Sequence, residues 1–370
     1  MASDTRGHSD NRAESGLLGW IDGSLATVVL GSVAVVVVAG LVQVSFGTYS
    51  MTLAQAWRAV LDPSIVFDLD AWRAFLFGAD LPEMGRRRLV VWNIRLPRVI
   101  VAALVGTNLA ISGAIFQAVT RNELASPYVL GVSSGAGLAV LLTLVVFSGL
   151  APFLPLFAAL GGALAFVLVY LIAWKGGTSP VRLVLAGVIV STVFWSLQRG
   201  LFYLAEDLGV VQSAIAWTTG SLTGVDWEQV RIILPWTAVS LVLALAGSRQ
   251  LNVLLLGERT AKSLGMSVEK VRFALAGVAV LAASAAISVA GIVSFVGLVV
   301  PHMVRTIVGS EYKRLMVGCV FAGPALMVAA DVGARLALAP TQIPVGVVTG
   351  LVGGPYFLYL MRRQQEMGEL

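Results

Sequence analysis

Residues 250–268 of the chain read QLNVLLLGERTAKSLGMSV, and they separate two long apolar regions. The sequence predicts a turn at Gly257, followed by about two turns of helix over 258–264. Gly265 comes directly after that helix, where a left-handed residue commonly ends a helix. Because the segment is charged and its neighbours are apolar, it marks a loop between membrane-spanning helices.

The predicted short helix is amphipathic. Ala261 and Leu264 lie on one side, and Arg259 and Lys262 lie on the other. A protein outside the membrane could hold and move such a helix. The alternative is an ordinary cytoplasmic loop with solvated charges, and the spacing alone favours this simpler interpretation.

Composition places the chain among polytopic membrane proteins. Of its 370 residues, 58% are hydrophobic and 12% are charged, and the mean hydropathy is +0.88. A soluble domain has about 25% charged residues. The single cysteine, Cys319, excludes a disulfide within the chain and is interpreted as a small core residue. The net charge of +5 is attributed to basic residues in the loops on one side of the membrane, and it is not taken as evidence of nucleic-acid binding.

The apolar runs predict an all-α fold with about ten transmembrane helices, since about 20 residues cross a bilayer. The run from 273 to 308 is too long for one span, so Gly291 is predicted to mark a tight reversal. The predicted spans are 26–46, 99–118, 128–147, 156–174, 181–204, 232–246, two within 273–308, 315–338 and 345–361.

These spans divide the chain into three parts. Residues 1–24 are predicted to be a cytoplasmic tail, 25–363 the transmembrane domain and 364–370 a short cytoplasmic end. Residues 47–94 form the longest hydrophilic section and are predicted to be an outer loop. It contains two similar pieces, at 56–61 and 71–76, which predict helices at the membrane interface with Trp57 and Trp72 as anchors.

Basic residues predict the orientation. With an even number of spans, both termini lie on one side. The short loops on that side, including 250–268, carry most of the Lys and Arg outside 47–98. Short loops rich in Lys and Arg are cytoplasmic. Both termini and the 250–268 segment are therefore expected in the cytoplasm.

The sequence contains no recognisable enzyme site. It lacks a Gly-x-x-x-x-Gly-Lys-Ser/Thr loop that would bind nucleotide phosphates. The histidines are His8, in the tail, and His302, and neither a metal-ligand cluster nor a nucleophile–base pair stands out. Any energy source would then be another chain or an ion gradient.

Several motifs occur in a fixed order along the chain. They are RLPR at 95–98, LVG at 104–106, NELASPYVLGVSSGA at 122–136, WTTGS at 217–221, LGERTAKSLG at 256–265, FVGLVVPHMVR at 295–305, ADVGAR at 330–335 and IPVG at 343–346. Together they resemble the FecCD family, the permease subunits of ABC importers for iron–siderophore complexes, haem and cobalamin. The chain departs from the family pattern at Glu123, where proline is usual, and at Gln342, where glutamate is common.

The resemblance implies a type II ABC importer permease fold in the inner (plasma) membrane. It also implies a homodimer, or a pair with a close paralogue, whose pathway follows the twofold axis. Two separate ABC ATPase subunits would carry ATP and Mg, and this chain would bind no cofactor or metal itself. A soluble binding protein would deliver a metal chelate, most commonly a ferric siderophore, with haem or cobalamin as alternatives. Membrane lipid is the remaining partner, and no nucleic acid is expected.

The resemblance also assigns residues on the cytoplasmic side. The segment that would dock into the ATPase contains Leu256, Gly257, Glu258, Ala261, Leu264 and Gly265. The breaks that resemble the family's inner gate contain Asn122, Leu124, Ser179, Pro180 and Val181.

The eighth predicted span carries the family motif at Gly297, Pro301, His302 and Arg305. Pro301 removes a helical hydrogen bond, so it predicts a kink that suits a pathway wall or is merely static. His302 and Arg305 share one face near the cytoplasmic end of the helix. Capping and snorkelling there are favoured over transport chemistry.

Three arginines are predicted at the outer surface. In the family, the positions of Arg95, Arg98 and Arg335 meet acidic residues on the binding protein. Arg335 also lies four residues after Asp331, a favourable order for an ion pair. The alternatives are that Arg95 and Arg98 only anchor a helix at lipid headgroups and that Asp331 and Arg335 form a buried structural pair.

Two other functional classes remain open from the residues alone. An ion-coupled secondary carrier would need acidic residues near mid-membrane, and only Asp331 is a candidate. A membrane enzyme would need a catalytic constellation, which the sequence does not display.

Overall fold

The computed structural model describes residues 22–47, 49, 51–205 and 207–366, and within these ranges the chain is almost entirely helical. Most of the predicted tail, and the predicted C-terminal end beyond 366, lie outside the described residues. In chain order the helices are α1 Gly23–Ser45, α2 Leu53–Val60, α3 Pro63–Val66, α4 Leu69–Phe77, α5 Arg86–Val90, α6 Leu96–Thr120, α7 Val132–Leu141, α8 Leu154–Ala173, α9 Pro180–Phe202, α10 Leu208–Thr219, α11 Trp227–Ala246, α12 Ser248–Leu255, α13 Glu258–Ser263, α14 Val268–Ala290, α15 Val296–Val308, α16 Tyr312–Leu336 and α17 Val345–Glu366.

The number of spans agrees with the sequence. Over the described ranges, seven helices are long and apolar enough to cross a membrane, and three shorter apolar helices bring the total to ten. The second span is longer than predicted, because a π-helical turn at Val91–Arg95 joins α5 to α6 into one helix of 35 residues. The third begins later than predicted, at Val132, because left-handed Gly131 starts it.

Helix α6 forms the centre of the bundle, and almost every residue from Val101 to Thr120 is buried. Its small residues allow neighbouring backbones to come close. A Cβ atom at Gly113 would overlap the carbonyl of Gly297 in α15, and one at Gly106 would overlap Gly323 in α16. The small residues of this span therefore form a helix-packing surface.

The predicted reversal at Gly291 is confirmed. Its φ is +68°, and it ends α14. The next amide, of Ile292, donates to the carbonyl of Trp217 at 2.8 Å, and the amide of Gly346 donates to Gly220 at 3.1 Å. These bonds tie α14, α10 and α17 together. Helix α10 has no counterpart among the predicted elements, because its 12 residues are too few to be recognised as a span.

The outer section contains the two predicted short helices, α2 and α4. Trp57 in α2 is 41% exposed, as expected for an interfacial residue. Trp72 in α4 is half-buried, and its role as an anchor at the membrane interface stays a prediction. Its indole N–H donates to Val66 at 2.9 Å, and its ring packs edge-on against Trp92 and Trp227, so the protein itself satisfies its polar and apolar parts.

Candidate functional site

Helix α13 is held between two glycine turns. Gly257 precedes it with φ +97°, and Gly265 follows it with φ +81°. Side chains other than glycine rarely adopt these angles. The predicted turn and the predicted left-handed helix end are both confirmed. A Cβ at Gly265 would meet nothing within 4 Å, so within this chain only its backbone angle requires glycine.

One side of α13 faces the protein and the other faces outward. Ala261 is fully buried, whereas Arg259 and Lys262 are exposed as predicted. Leu264 was expected beside Ala261, but it is 64% exposed because α13 ends at Ser263 and the helical periodicity stops there. Leu256 is exposed as well. The outer side of this segment therefore combines charged and apolar groups, a composition suited to a protein partner.

A shallow cleft of about 410 Å³ adjoins this surface. It is lined by Arg121, Leu256, Gly257, Glu258, Arg259 and Thr260. Arg121 has φ +50° and ends α6, so the cleft joins the α13 segment to the loop that follows α6.

Beneath α13 lies a buried charged network. Arg272 of α14 is 1% exposed, and it donates to the carboxylates of Glu258 at 2.6 Å and Glu269 at 3.1 Å. The same guanidinium donates to the carbonyl of Thr178 at 2.7 Å. Glu269 accepts the hydroxyl and the amide of Thr178, at 2.7 and 3.0 Å. The loop before α9 is thus bonded to the start of α14 and, through Arg272, to α13.

The predicted gate residues lie in two exposed turns. Asn122 accepts the amide of Leu124 at 2.9 Å, and the Leu124 side chain is exposed. Ser179 caps α9 by accepting the amide of Arg182, Pro180 is the first residue of that helix, and Val181 is exposed. Their role as a gate stays a prediction.

Glu123 links the first of these turns to α15. Its carboxylate forms an ion pair with Arg305, with 3.0 Å between Oε1 and Nη1, and lies 3.5 Å from Nδ1 of His302. Arg305 also donates to Gln117 at 3.1 Å. The predicted helix-end capping by His302 and Arg305 is therefore wrong. Both side chains turn back toward the carboxylate of Glu123 instead.

The contacts of Glu123 lower its pKa. The hydrogen bond with His302 is the largest cause, and the positive charge of Arg305 adds to it, against an opposing effect of burial. Glu123 is therefore an anion at neutral pH. The turn that carries it is fastened to α15 by charge.

Gly297 lets α15 come close to α6. A Cβ on Gly297 would lie only 2.7 Å from the carbonyl oxygen of Leu109. Pro301 lies inside α15 and is buried, and α15 itself is a short helix of 13 residues. Gly297 therefore serves close packing in this structure.

Of the three arginines predicted at the outer surface, Arg95 and Arg98 are buried and Arg335 is half-buried. Arg98 pairs with both carboxylate oxygens of Asp331 at 2.8 Å and donates to Gln342 at 2.7 Å. Gln43 of α1 donates to the same carboxylate at 2.5 Å. The predicted pair between Asp331 and Arg335 is therefore wrong, because Arg98 from α6 occupies the carboxylate.

Arg95 donates to the carbonyls of Val44 at 2.5 Å and Tyr49 at 2.6 Å, and it is 2% exposed. Arg335 donates to the carbonyl of Gln43 at 3.0 Å and is half-buried. The predicted exposure is thus wrong for Arg95 and Arg98, because backbone and carboxylate acceptors inside the protein draw them in. Docking of a binding protein at these arginines stays a prediction.

The sequence interpretation misses Glu269 and Arg272 as a functional pair. Their i, i+3 spacing at the start of α14 is the available signal, but it equally fits two solvated charges on a helix end. Only the approach of the Thr178 loop and of α13 reveals that Arg272 is buried.

Comparisons with known proteins agree with this architecture. Residues 18–363 match the model of the FecCD transport family. The chain is 40% identical to the iron(3+)-hydroxamate import system permease protein FhuG of Bacillus subtilis, over 75% of this chain and 85% of the relative. It is 38% identical to the hemin transport system permease protein HmuU of Yersinia pestis, over 75% and 84%. It is 41% identical to the cobalamin import system permease protein BtuC of Halobacterium salinarum, over 77% and 76%.

A solved structure is also similar. It is an inward-facing conformation of a transporter assigned to the metal-chelate ABC type, with a TM-score of 0.77 and 26% identity. The match covers 91% of this chain and 99% of the solved chain. With the family model spanning nearly the whole membrane domain and the α13 segment built as its motif predicts, this chain is a member of the FecCD transport family.

Proposed function

We propose that the chain is the permease subunit of an ATP-driven ABC importer that carries a metal chelate into the cell. The exposed α13 segment, fixed between Gly257 and Gly265, is the observation that carries this proposal. It offers a short, rigid helix with charged and apolar groups to a partner on one side of the membrane. Within the FecCD family, that partner is an ABC ATPase.

The transport cycle follows from this arrangement. Two copies of the chain, or this chain and a close paralogue, enclose a pathway along their shared axis. Two ATPase subunits hold the α13 segments in the cytoplasm, and a soluble binding protein delivers the substrate outside. ATP binding draws the ATPases together and moves α13, and the helices then change between outward-open and inward-open arrangements. The permease itself performs no chemistry.

A ferric siderophore is the proposed substrate class. The hydroxamate permease of B. subtilis and the Fe(3+)-citrate permease YfmD of the same organism, 37% identical, are among the similar chains. Haem and cobalamin are the runners-up, given the similar HmuU and BtuC chains. Binding of ferric hydroxamate, ferric citrate, haem and cobalamin by the cognate soluble partner, followed by its tryptophan fluorescence, separates these cases. Tight binding of haem or cobalamin alone would refute the siderophore assignment.

An ion-coupled carrier is less well supported. In the described spans, Asp331 is the only buried carboxylate, and Arg98 and Gln43 occupy its oxygens. A carboxylate held by a guanidinium in this way is a poor site for a proton or sodium ion that must come and go.

The test uses proteoliposomes that contain the assembled permease and ATPase, with the binding protein outside and ATP inside. Uptake of labelled chelate should require ATP and survive an ionophore. An ATPase altered in its phosphate-binding lysine is the matched control and should abolish uptake. Uptake by the permease without its ATPase, lost when an ionophore is added, would refute the proposal.

The proposed orientation places α13 and both termini in the cytoplasm. Cysteines placed singly at exposed Lys262 and at exposed Arg73, in a Cys319→Ala background, test it. In intact cells, an impermeant maleimide should label position 73 and not position 262. The reverse pattern would overturn the orientation.

A further inference from the structure

We propose that Arg272 is a positioning residue that mechanically joins α13 to the loop before α9, so that movement of α13 is transmitted to the inner end of α9. This inference rests on the proposed function, because it assigns a route for motion that the ATPase would supply. It adds Arg272 and Glu269, which lie outside the listed family motifs, to Glu258, which lies within the α13 motif.

The first part of the link is between α13 and Arg272. The bond from Arg272 to Glu258, at 2.6 Å, is the one side-chain hydrogen bond that joins α13 to another helix in the described part of the chain. Ala261 adds the buried apolar contact of this short helix. With only six residues and glycine turns at both ends, α13 can move as a unit, so this ion pair determines where its first turn lies.

The second part of the link is at Thr178. Its carbonyl accepts from Arg272 at 2.7 Å, while its amide and hydroxyl both donate to Glu269. All three polar groups of this buried residue are therefore held by the first turn of α14. Gly177, just before it, lies so close to Glu269 that a Cβ there would be 3.2 Å from the carboxylate.

The third part is between the loop and α9. Arg182 donates to the carbonyl of Gly177 at 2.8 Å, and its own amide bonds to the capping hydroxyl of Ser179. The loop and the first turn of α9 are therefore one bonded unit. A displacement of Thr178 displaces the start of α9, where exposed Val181 belongs to the predicted gate.

An arginine is needed because the side chain must bind partners on two sides, in α13 and in the loop before α9. One terminal nitrogen serves Thr178 and Glu269, and the other serves Glu258. The planar guanidinium holds these partners at a fixed separation, whereas a lysine ammonium is a single point on a flexible stem. The Nε of Arg272 is buried and has no hydrogen-bond partner among the described residues, so the side chain is not placed to satisfy all of its own donors. Its geometry instead favours bridging its neighbours.

The links act in series, and this predicts a distinctive result. Glu258→Gln weakens the α13 end and Glu269→Gln weakens the loop end, and both carboxylates are partly exposed, so the fold should tolerate each change. In reconstituted permease with its ATPase, each should lower uptake about tenfold, as expected for loss of a charge-assisted bond. For Glu269→Gln, whose residue lies outside the α13 segment, ATP hydrolysis should stay within about twofold. The double variant should be no worse than either single one. Arg272→Lys should be as uncoupled as Arg272→Gln.

The matched control is Asp70→Asn, which breaks an exposed ion pair on the outer loop and should change neither measurement. If the network is merely structural, uptake, hydrolysis and yield of the assembled complex fall together, the two single effects multiply, and Arg272→Lys restores uptake. Any of these results overturns the inference. A wild-type complex without ATP-dependent uptake instead refutes the proposed function, and the inference with it.

A distance measurement tests the link without transport. Spin labels at Lys175→Cys and Lys262→Cys, in the Cys319→Ala background, report on the loop and on α13, and both sites are exposed. The distance distribution should stay narrow with and without ATP in the otherwise wild-type protein. Adding Glu258→Gln should broaden it. An unchanged distribution would overturn the inference.

Discussion

Asp331→Asn is expected to destabilise the protomer strongly. The carboxylate of Asp331 lies between α16 and α6, where Arg98 binds both of its oxygens at 2.8 Å. Asparagine has nearly the same shape but no charge. The substitution leaves the guanidinium of Arg98 inside the protein without its counter-ion, facing only the neutral amide oxygens at position 331 and of Gln342 as side-chain acceptors.

The burial of the ion pair determines how much stability the substitution removes. The side chains of Arg98 and Asp331 are 9% and 1% exposed. Removing one partner of a buried ion pair costs about 3–5 kcal/mol, because a desolvated charge loses its counter-ion. Arg73 and Asp70 form a pair of nearly equal length, 2.9 Å, that is 69% and 78% exposed. Arg73→Gln should cost about 0–1 kcal/mol, and the comparison isolates the effect of burial.

The assay is equilibrium unfolding of purified protein in mild detergent, followed by tryptophan fluorescence as denaturing detergent is added. Arg98→Gln and the double variant complete a double-mutant cycle. We expect the double variant to lose much less stability than the two single losses added together, because the second substitution removes the charge that the first leaves unpaired. High salt should change the result little, since a buried pair is poorly screened.

The reasoning fails if Asp331→Asn costs no more than Arg73→Gln. It also fails if the losses in the cycle add, since the two residues would then act independently. A loss of binding-protein docking at unchanged stability would restore the view that Arg98 serves the outer surface.

Three further predictions follow from single residues. Gly265→Val should lower ATPase co-purification. The control is Gly309→Val, whose surroundings are equally open and whose φ of +84° and ψ of −173° are also unfavourable for valine, so it should impose a backbone strain of at least about 1–3 kcal/mol without that loss. Equal co-purification of the two variants would refute the coupling role. The pKa of Glu123 is lowered, so its stabilising contribution is full above its ordinary value of 4.5 and is lost as pH falls through the lowered pKa. The difference in thermal stability between wild type and Glu123→Gln should therefore disappear in acid, and a constant difference would contradict the ion pair. Gly113→Val should abolish folded protein in size-exclusion profiles, because its side chain overlaps Gly297; a normal profile would refute the close packing.

Much of the fold could be predicted because its causes are local in the chain. The thickness of the bilayer sets the length of an apolar run, so the spans can be counted from the sequence. The glycines at 257, 265 and 291 mark turns because glycine, which lacks a Cβ, adopts a positive φ readily. The exposed charges of α13 follow from helical periodicity.

Side-chain partners could not be predicted in the same way. Asp331 has Arg335 one helical turn away, yet it pairs with Arg98, 233 residues earlier in the chain. Glu123 breaks the family pattern, and its partners His302 and Arg305 come from another helix. Spacing within one helix suggests possible partners for a charged residue, but it cannot show whether a residue from a distant part of the chain binds instead.

The membrane spans, their number and the glycine turns are thus determined by the sequence, whereas the charged networks are decided by the tertiary structure. A desolvated carboxylate binds the cation that packing brings within reach, and packing depends on the whole bundle. The burial of Arg272 illustrates this. Its bonds form because α13, the loop before α9 and the start of α14 come together in the folded protein. These segments are separate in the sequence, so no local pattern reveals their contact.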